Sequence, residues 1–74
     1  MNMVRYKNLG GNSNVHSYCI ATDHIVVQFN SGNPYTYSYN SAGRDKVETM
    51  KKLAVQGQGL NSYIMRYARY DYEK

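Results

Sequence analysis

An α+β fold, a three-stranded antiparallel β-meander followed by two helices packed on one face, is what this sequence predicts. Two changes of period and one limit of size carry that expectation. Between Ser17 and Tyr39, apolar and polar residues alternate in short runs bounded by Asp, Asn, Gly or Pro, which is the pattern of half-buried strands. From Val47 onward the apolar spacing lengthens to three and four residues, the pattern of helices with one buried stripe. A chain of 74 residues buries only about 60% of the surface its unfolded form exposes, so it holds one core and counts as one domain.

The elements follow in order. Residues 1–14 combine a short apolar start, Met3-Val4-Arg5-Tyr6, with the run Asn8-Leu9-Gly10-Gly11-Asn12-Ser13-Asn14, and are expected to form an irregular arm before the domain at 15–74. Strands are predicted over 17–21, 24–29 and 35–39. In the second, Ile25, Val27 and Phe29 share one face while His24, Val26 and Gln28 share the other. Pro34 precedes the third strand, where its missing donor is tolerated at the edge of a ladder. Val47, Met50, Leu53 and Ala54 then form one stripe of a helix, with Ser41 or Asp45 as its cap, Glu48 and Lys52 as an i, i+4 pair, and Gly57-Gln58-Gly59 as its end. A second helix begins at Leu60–Asn61 with Leu60, Ile64, Tyr67 and Ala68 as its buried stripe, and is expected to fray through residues 71–74.

Composition narrows the function classes. Cys19 is the one cysteine and His16 and His24 are the two histidines, so no disulfide framework and no Cys/His zinc site can be assembled within one chain. Neither a metal nor a cofactor is expected. The lone cysteine, the absence of a charged-then-apolar leader at residues 1–11 and the lack of a long apolar run predict a cytoplasmic protein outside the membrane. Nine Lys/Arg against five Asp/Glu give a net charge of +4, compatible with phosphate binding and ordinary for a soluble domain. Seven of the nine basic residues and four of the five acidic ones fall in residues 41–74, an interleaving that reads first as a solvated face.

Three short motifs, in order, bear a likeness to a known family. Val15, Ser17 and Ile20 resemble a Val-x-Ser-x-x-Ile block; Phe29, Gly32, Tyr35 and Tyr37 resemble Phe-x-x-Gly-x-x-Tyr-x-Tyr; Gly57, Leu60, Asn61 and Ile64 resemble a closing helix–Gly–Asn–Ile block. Together they resemble the KTSC domain, a short bacterial domain named after the C-terminus of some lysine tRNA synthetases. One departure is Asn40-Ser41-Ala42-Gly43, where the family often has Val-Pro. The resemblance implies a stand-alone domain of this length, with a suspected role in nucleic-acid binding and no catalytic residues.

The residues themselves give the same ranking of chemistries. A two-residue turn at Thr22–Asp23 pairs Ala21 with His24 and places Cys19 and His24 on one face, about 7 Å apart along the strand. That is too far for a nucleophile–base contact, so Cys19 is read as a buried, inert small hydrophobe and the protein as a non-enzyme. The acids are spread over a turn and two Lys/Arg-rich helices, with no sheltered pair for acid–base work.

Nine tyrosines are more than a small core needs. Tyr35, Tyr37 and Tyr39 share one face of the third strand, and the preceding loop decides which face. A two-residue Ser31–Gly32 turn pairs Phe29 with Pro34 and leaves the three rings as an exposed platform for stacking bases. A three-residue Ser31–Asn33 loop pairs Phe29 with Tyr35, sends the rings into the core and turns Thr36 and Ser38 to solvent, which fits binary patterning better. On the last helix Tyr63, Arg66 and Tyr70 adjoin at i, i+3 and i+7 with Arg69 nearby, a patch suited to phosphate plus base or to a homodimer seam. The expected ligand-binding residues are therefore Tyr35, Tyr37, Tyr63, Arg66, Arg69 and Tyr70. The expected partner is RNA or a nucleotide, and the alternative is a second protein or a second copy of this chain.

Overall fold

The computed structural model describes residues 2–11 and 13–74; Met1 and Asn12 of the expected arm lie outside the described residues. Its elements are β1 (Val4–Arg5), β2 (Val15–Ile20), β3 (His24–Phe29), β4 (Tyr35–Ser38), α1 (Arg44–Gln56) and α2 (Leu60–Tyr63), which runs on into a π-helical turn (Ile64–Ala68). The strands form one antiparallel sheet in the order β1-β2-β3-β4. The class is α+β as predicted, with four strands rather than three. The added strand lies in the expected irregular arm, where Val4 pairs with Tyr18 and Arg5 with Ser17. Tyr6 follows it into the core, 3% exposed, and its hydroxyl accepts the Leu60 N–H at 3.3 Å, satisfying a donor that the first turn of a helix leaves free.

The β2–β3 turn is the predicted one, with the Ala21 N–H bonded to the His24 carbonyl at 3.0 Å. One irregularity lies beyond sequence periodicity. Val15 pairs with Phe29 and Ser17 with Gln28, so His16 is an extra residue in the ladder. A bulge reverses the facing of everything beyond it. Val15 and Tyr18, of opposite parity, therefore both reach the core. Cys19, opposite Val26 on the face away from the helices, is half-buried rather than buried.

The β3–β4 pairing differs from both expected registers. Ile25 lies opposite Tyr37, Val26 opposite Thr36 and Val27 opposite Tyr35, a slide of two residues from the core-facing register. Pro34 has no N–H to extend the ladder, and the Gln28 side chain instead donates to the carbonyls of Phe29 and Gly32 at 2.8 and 3.0 Å, with Gly32 at φ 86°. An even slide preserves facing, so the tyrosines do turn toward the helices, and Tyr37 is fully buried. Thr36 is half-buried and Ser38 buried, contrary to the solvent-facing expectation. Ser38 is held by Ser41, whose Oγ accepts the Ser38 N–H at 3.1 Å, and its carbonyl accepts the Ala42 N–H at 2.8 Å. With Glu73 N–H on the Thr36 carbonyl at 2.7 Å, the outer edge of β4 has few groups left for another strand.

α1 buries Val47, Met50 and Ala54 against Ile25, Val27 and Tyr37, with Leu53 partly buried beside them. Its N-cap is Gly43, without a side-chain bond, rather than Ser41 or Asp45, because Ser41 is engaged by Ser38. Glu48 pairs with Lys51 at 2.8 Å rather than with Lys52. Gly57 ends the helix in the left-handed conformation, as expected of a C-cap glycine. Leu60, Ile64 and Ala68 are buried, but Tyr67 is 53% exposed. The π-helical turn causes that correction, since its wider winding keeps residues four apart in register and carries Tyr67 off the buried stripe. Residues 71–74 fold back on the sheet instead of fraying, through the Glu73 bond and a Lys46–Asp71 ion pair of 2.7 Å.

Candidate functional site

Where β4, the π-helical turn and residues 70–72 meet, a cleft of ≈ 310 Å³ opens, lined by Asn14, Phe29, Ser31, Tyr35, Tyr37, Met65, Arg69, Tyr70 and Tyr72. Four residues singled out from the sequence, Tyr35, Tyr37, Arg69 and Tyr70, converge here from two distant segments. Their roles differ with exposure. Tyr37, 1% exposed, lies beneath the cleft as part of the core. Tyr35 is 38% exposed, with Phe29 edge-on at 5.9 Å and Tyr72 tilted at 4.7 Å. Tyr70 is 68% exposed and has no ring partner among the described residues. Its ring is the one most open to a ligand.

Arg69 brings the charge. Its guanidinium donates to Met65 Sδ at 3.8 Å and makes no ion pair among the described residues. No Asp or Glu lines the cleft. A cation beside aromatic rings, with no carboxylate to neutralise it, suits a ligand that joins negative charge to a flat ring.

Two of the expected residues lie elsewhere. Tyr63 packs partly buried against the core and pairs with Tyr67 at 5.0 Å, while Arg66 is exposed; neither lines the cleft. An α-helical spacing joins Tyr63, Arg66 and Tyr70 on one face, but the π-helical turn pairs Tyr63 with Tyr67 and leaves Tyr70 to the cleft. Lys51 is also committed elsewhere. It bonds Glu48 Oε2 and the Thr22 carbonyl at 2.8 and 2.9 Å, and with Arg44 it flanks the Tyr39 ring, at 5.7 and 6.0 Å from its centroid. The Tyr39 hydroxyl donates to the same Glu48 oxygen at 2.7 Å, a bond that raises its pKa. The Lys51 bond first, and the Tyr39 bond second, hold the Glu48 carboxyl below its usual range.

Burial pushes the Tyr37 hydroxyl up to about 12, with Tyr35, Tyr72 and Asp71 adding to the shift. The neutral phenol is favoured in the folded state. Its stabilisation is complete below the unfolded pKa of about 10 and is lost as pH rises through about 12, a loss of roughly 2–3 kcal/mol in all. Urea unfolding compared at pH 8 and pH 11.5 is expected to show a decline that Tyr37→Phe reduces.

Sequence reasoning missed Tyr72, which packs on both Tyr35 and Tyr37, the latter at 6.4 Å. The repeated tyrosines at 67, 70 and 72 were a signal of aromatic surface, but nothing local placed Tyr72 on β4. It also missed a polar hollow of ≈ 220 Å³ between the arm and the α1–α2 turn, lined by neutral side chains including Asn8, Ser13, Gln58 and Asn61. In the β2–β3 turn His24 Nδ1 and Asp23 Oδ1 are 2.9 Å apart, a pairing that lowers the pKa of the exposed Asp23 carboxyl.

Comparison with protein-family models, with curated proteins and with solved structures gives no match. No helix among the described residues is long and apolar enough to cross a membrane.

Proposed function

We propose that this chain forms a non-catalytic binding module of the KTSC type, whose cleft takes single-stranded nucleic acid or a nucleotide. The convergence of Tyr35, Arg69 and Tyr70 on one acid-free cleft carries the reading. Tyr70 and the open part of Tyr35 stack on a base, and Arg69 meets a phosphate. A volume of ≈ 310 Å³ lies at the small end of ligand sites, which run from roughly 300 to 1,000 Å³, and suits one nucleotide unit at a time. The net charge of +4 favours approach of a polyanion. The KTSC assignment draws support from the parts its motif residues play. Phe29, Tyr37, Leu60 and Ile64 build the core, and Gly32 and Gly57 adopt the positive φ their turns require.

The test is titration of the full chain with a fluorescent single-stranded RNA of eight residues. Arg69→Ala and Tyr70→Ala are each expected to weaken binding while leaving the thermal midpoint unchanged, the tyrosine by about 1–3 kcal/mol. Raising salt from 50 to 500 mM is expected to weaken wild-type binding by about 5- to 25-fold, for one or two phosphates neutralised. No binding of RNA, DNA or nucleotides at low salt contradicts the reading. The alternative, self-association, draws on the exposed Tyr67 beside Tyr63 and Arg66. A concentration-dependent dimer abolished by Tyr67→Ala is its expected signature.

A further inference from the structure

Resting on that reading of the cleft, we propose that residues 71–74 form a self-occupying strap, in which Asp71 and Tyr72 hold the places of a nucleotide's phosphate and base. The Tyr72 ring stands 4.7 Å from Tyr35, within the separation of directly packed aromatic rings. No third ring fits between them, so a base that is to cover this side of Tyr35 must displace Tyr72. One residue earlier, the Asp71 carboxylate sits 2.7 Å from Lys46 Nζ. Anion on ammonium and ring on ring, in adjacent groups, is the pairing a nucleotide offers.

The strap is anchored so that it can be exchanged. Its ion pair is partly exposed on both sides, 40% for Lys46 and 32% for Asp71, and such pairs are weakly held in water. Two backbone bonds, Asp71 N–H to the Ala68 carbonyl at 3.0 Å and Glu73 N–H to the Thr36 carbonyl at 2.7 Å, and the rings of Tyr35 and Tyr37 complete the attachment. Opening frees one side of Tyr35 for stacking and leaves the Lys46 ammonium without its carboxylate. An open strap thus offers the ligand a cation that the closed strap neutralises. The apparent affinity is the open-state affinity reduced by the fraction of molecules that are open.

The experiment compares binding of the same eight-residue RNA to the wild type, Tyr72→Ala, Asp71→Asn and Lys46→Ala, all full-length and each checked for an unchanged far-ultraviolet circular dichroism spectrum. Tyr72→Ala and Asp71→Asn are expected to bind about 2- to 10-fold more tightly than the wild type, and Lys46→Ala more weakly than Asp71→Asn, although both break the same ion pair. Weaker or unchanged binding by Tyr72→Ala overturns the strap and leaves the nucleic-acid reading standing, with Tyr72 as a fixed wall of the site. Absence of binding by all four proteins at low salt overturns that reading and the strap with it.

Discussion

Tyr37→Ala is expected to cost about 3–5 kcal/mol of stability, the range for removing a buried aromatic ring. Tyr37 is 1% exposed, faces Ile25 across the ladder and packs among Val47, Met50 and the other buried groups of the helices. A domain of this size has roughly 4–11 kcal/mol in total. The variant is therefore expected to show a much lower urea midpoint and to be substantially unfolded on gentle heating. Tyr37→Phe is the control, because the hydroxyl makes no protein hydrogen bond among the described residues. It is expected to fall within about 1 kcal/mol of the wild type near neutral pH, as do most volume-conserving changes. A wild-type midpoint for the alanine variant contradicts the placement of the ring at the centre of the core.

Gly57→Ala carries the second large effect, expected at about 2–5 kcal/mol. Two costs add at this one residue. Its φ of 83° lies in the left-handed region, where an L side chain costs about 1–2 kcal/mol. An added Cβ also falls 2.5 Å from Lys7 Cβ, so the backbone of the arm has to move, and forced overpacking typically costs a further 1–3 kcal/mol. That movement threatens the Leu9 N–H bond to the Gly57 carbonyl, 2.7 Å long. Loss of hydrogen-exchange protection at Leu9 and Tyr6, together with the lower midpoint, distinguishes this from simple helix fraying. Gly32→Ala, at φ 86° with open space where its Cβ falls, is expected to cost only the conformational part.

The contrast between those two glycines reflects what a sequence can and cannot display. Local chemistry was legible: the Thr22–Asp23 turn, the Ile25–Val27–Phe29 face and the end of α1 at Gly57 follow from residues that act on their immediate neighbours. Effects that insert or slide a residue were not. The bulge at His16 turns Val15 and Tyr18 to one side although their spacing places them on opposite sides. The β4 register lies two residues from the expected core-facing one, with the same facing. The π-helical turn made the same kind of change in the last helix, removing Tyr67 from the core and parting Tyr70 from Tyr63.

For the candidate site, the sequence supplied the residue types and half of their arrangement. Tyr35 and Tyr70 stood out as aromatic groups in different elements, and Arg69 as a neighbouring cation, but their meeting depends on a return of the chain over β4. Residues 71–74 read as a fraying end because Asp71 and Glu73 belong to no periodic pattern. Their partners, Lys46 and Thr36, lie far back in the sequence. The same long-range return places Tyr72 on Tyr35, the contact from which the strap is proposed. What looked from the sequence like a helix surface for binding is a cleft built jointly by sheet and helix.

Mapping a bound oligonucleotide by NMR locates the binding surface residue by residue. Backbone amide shifts of the isotope-labelled full chain are followed as the eight-residue RNA is added at 50 mM salt. Saturable changes are expected to centre on Tyr35, Met65, Arg69, Tyr70 and Tyr72, with residues around Tyr63 and Val55 little affected. Changes centred on Tyr63, Arg66 and Tyr67, or no saturable changes at all, contradict the assignment of this cleft as the binding site.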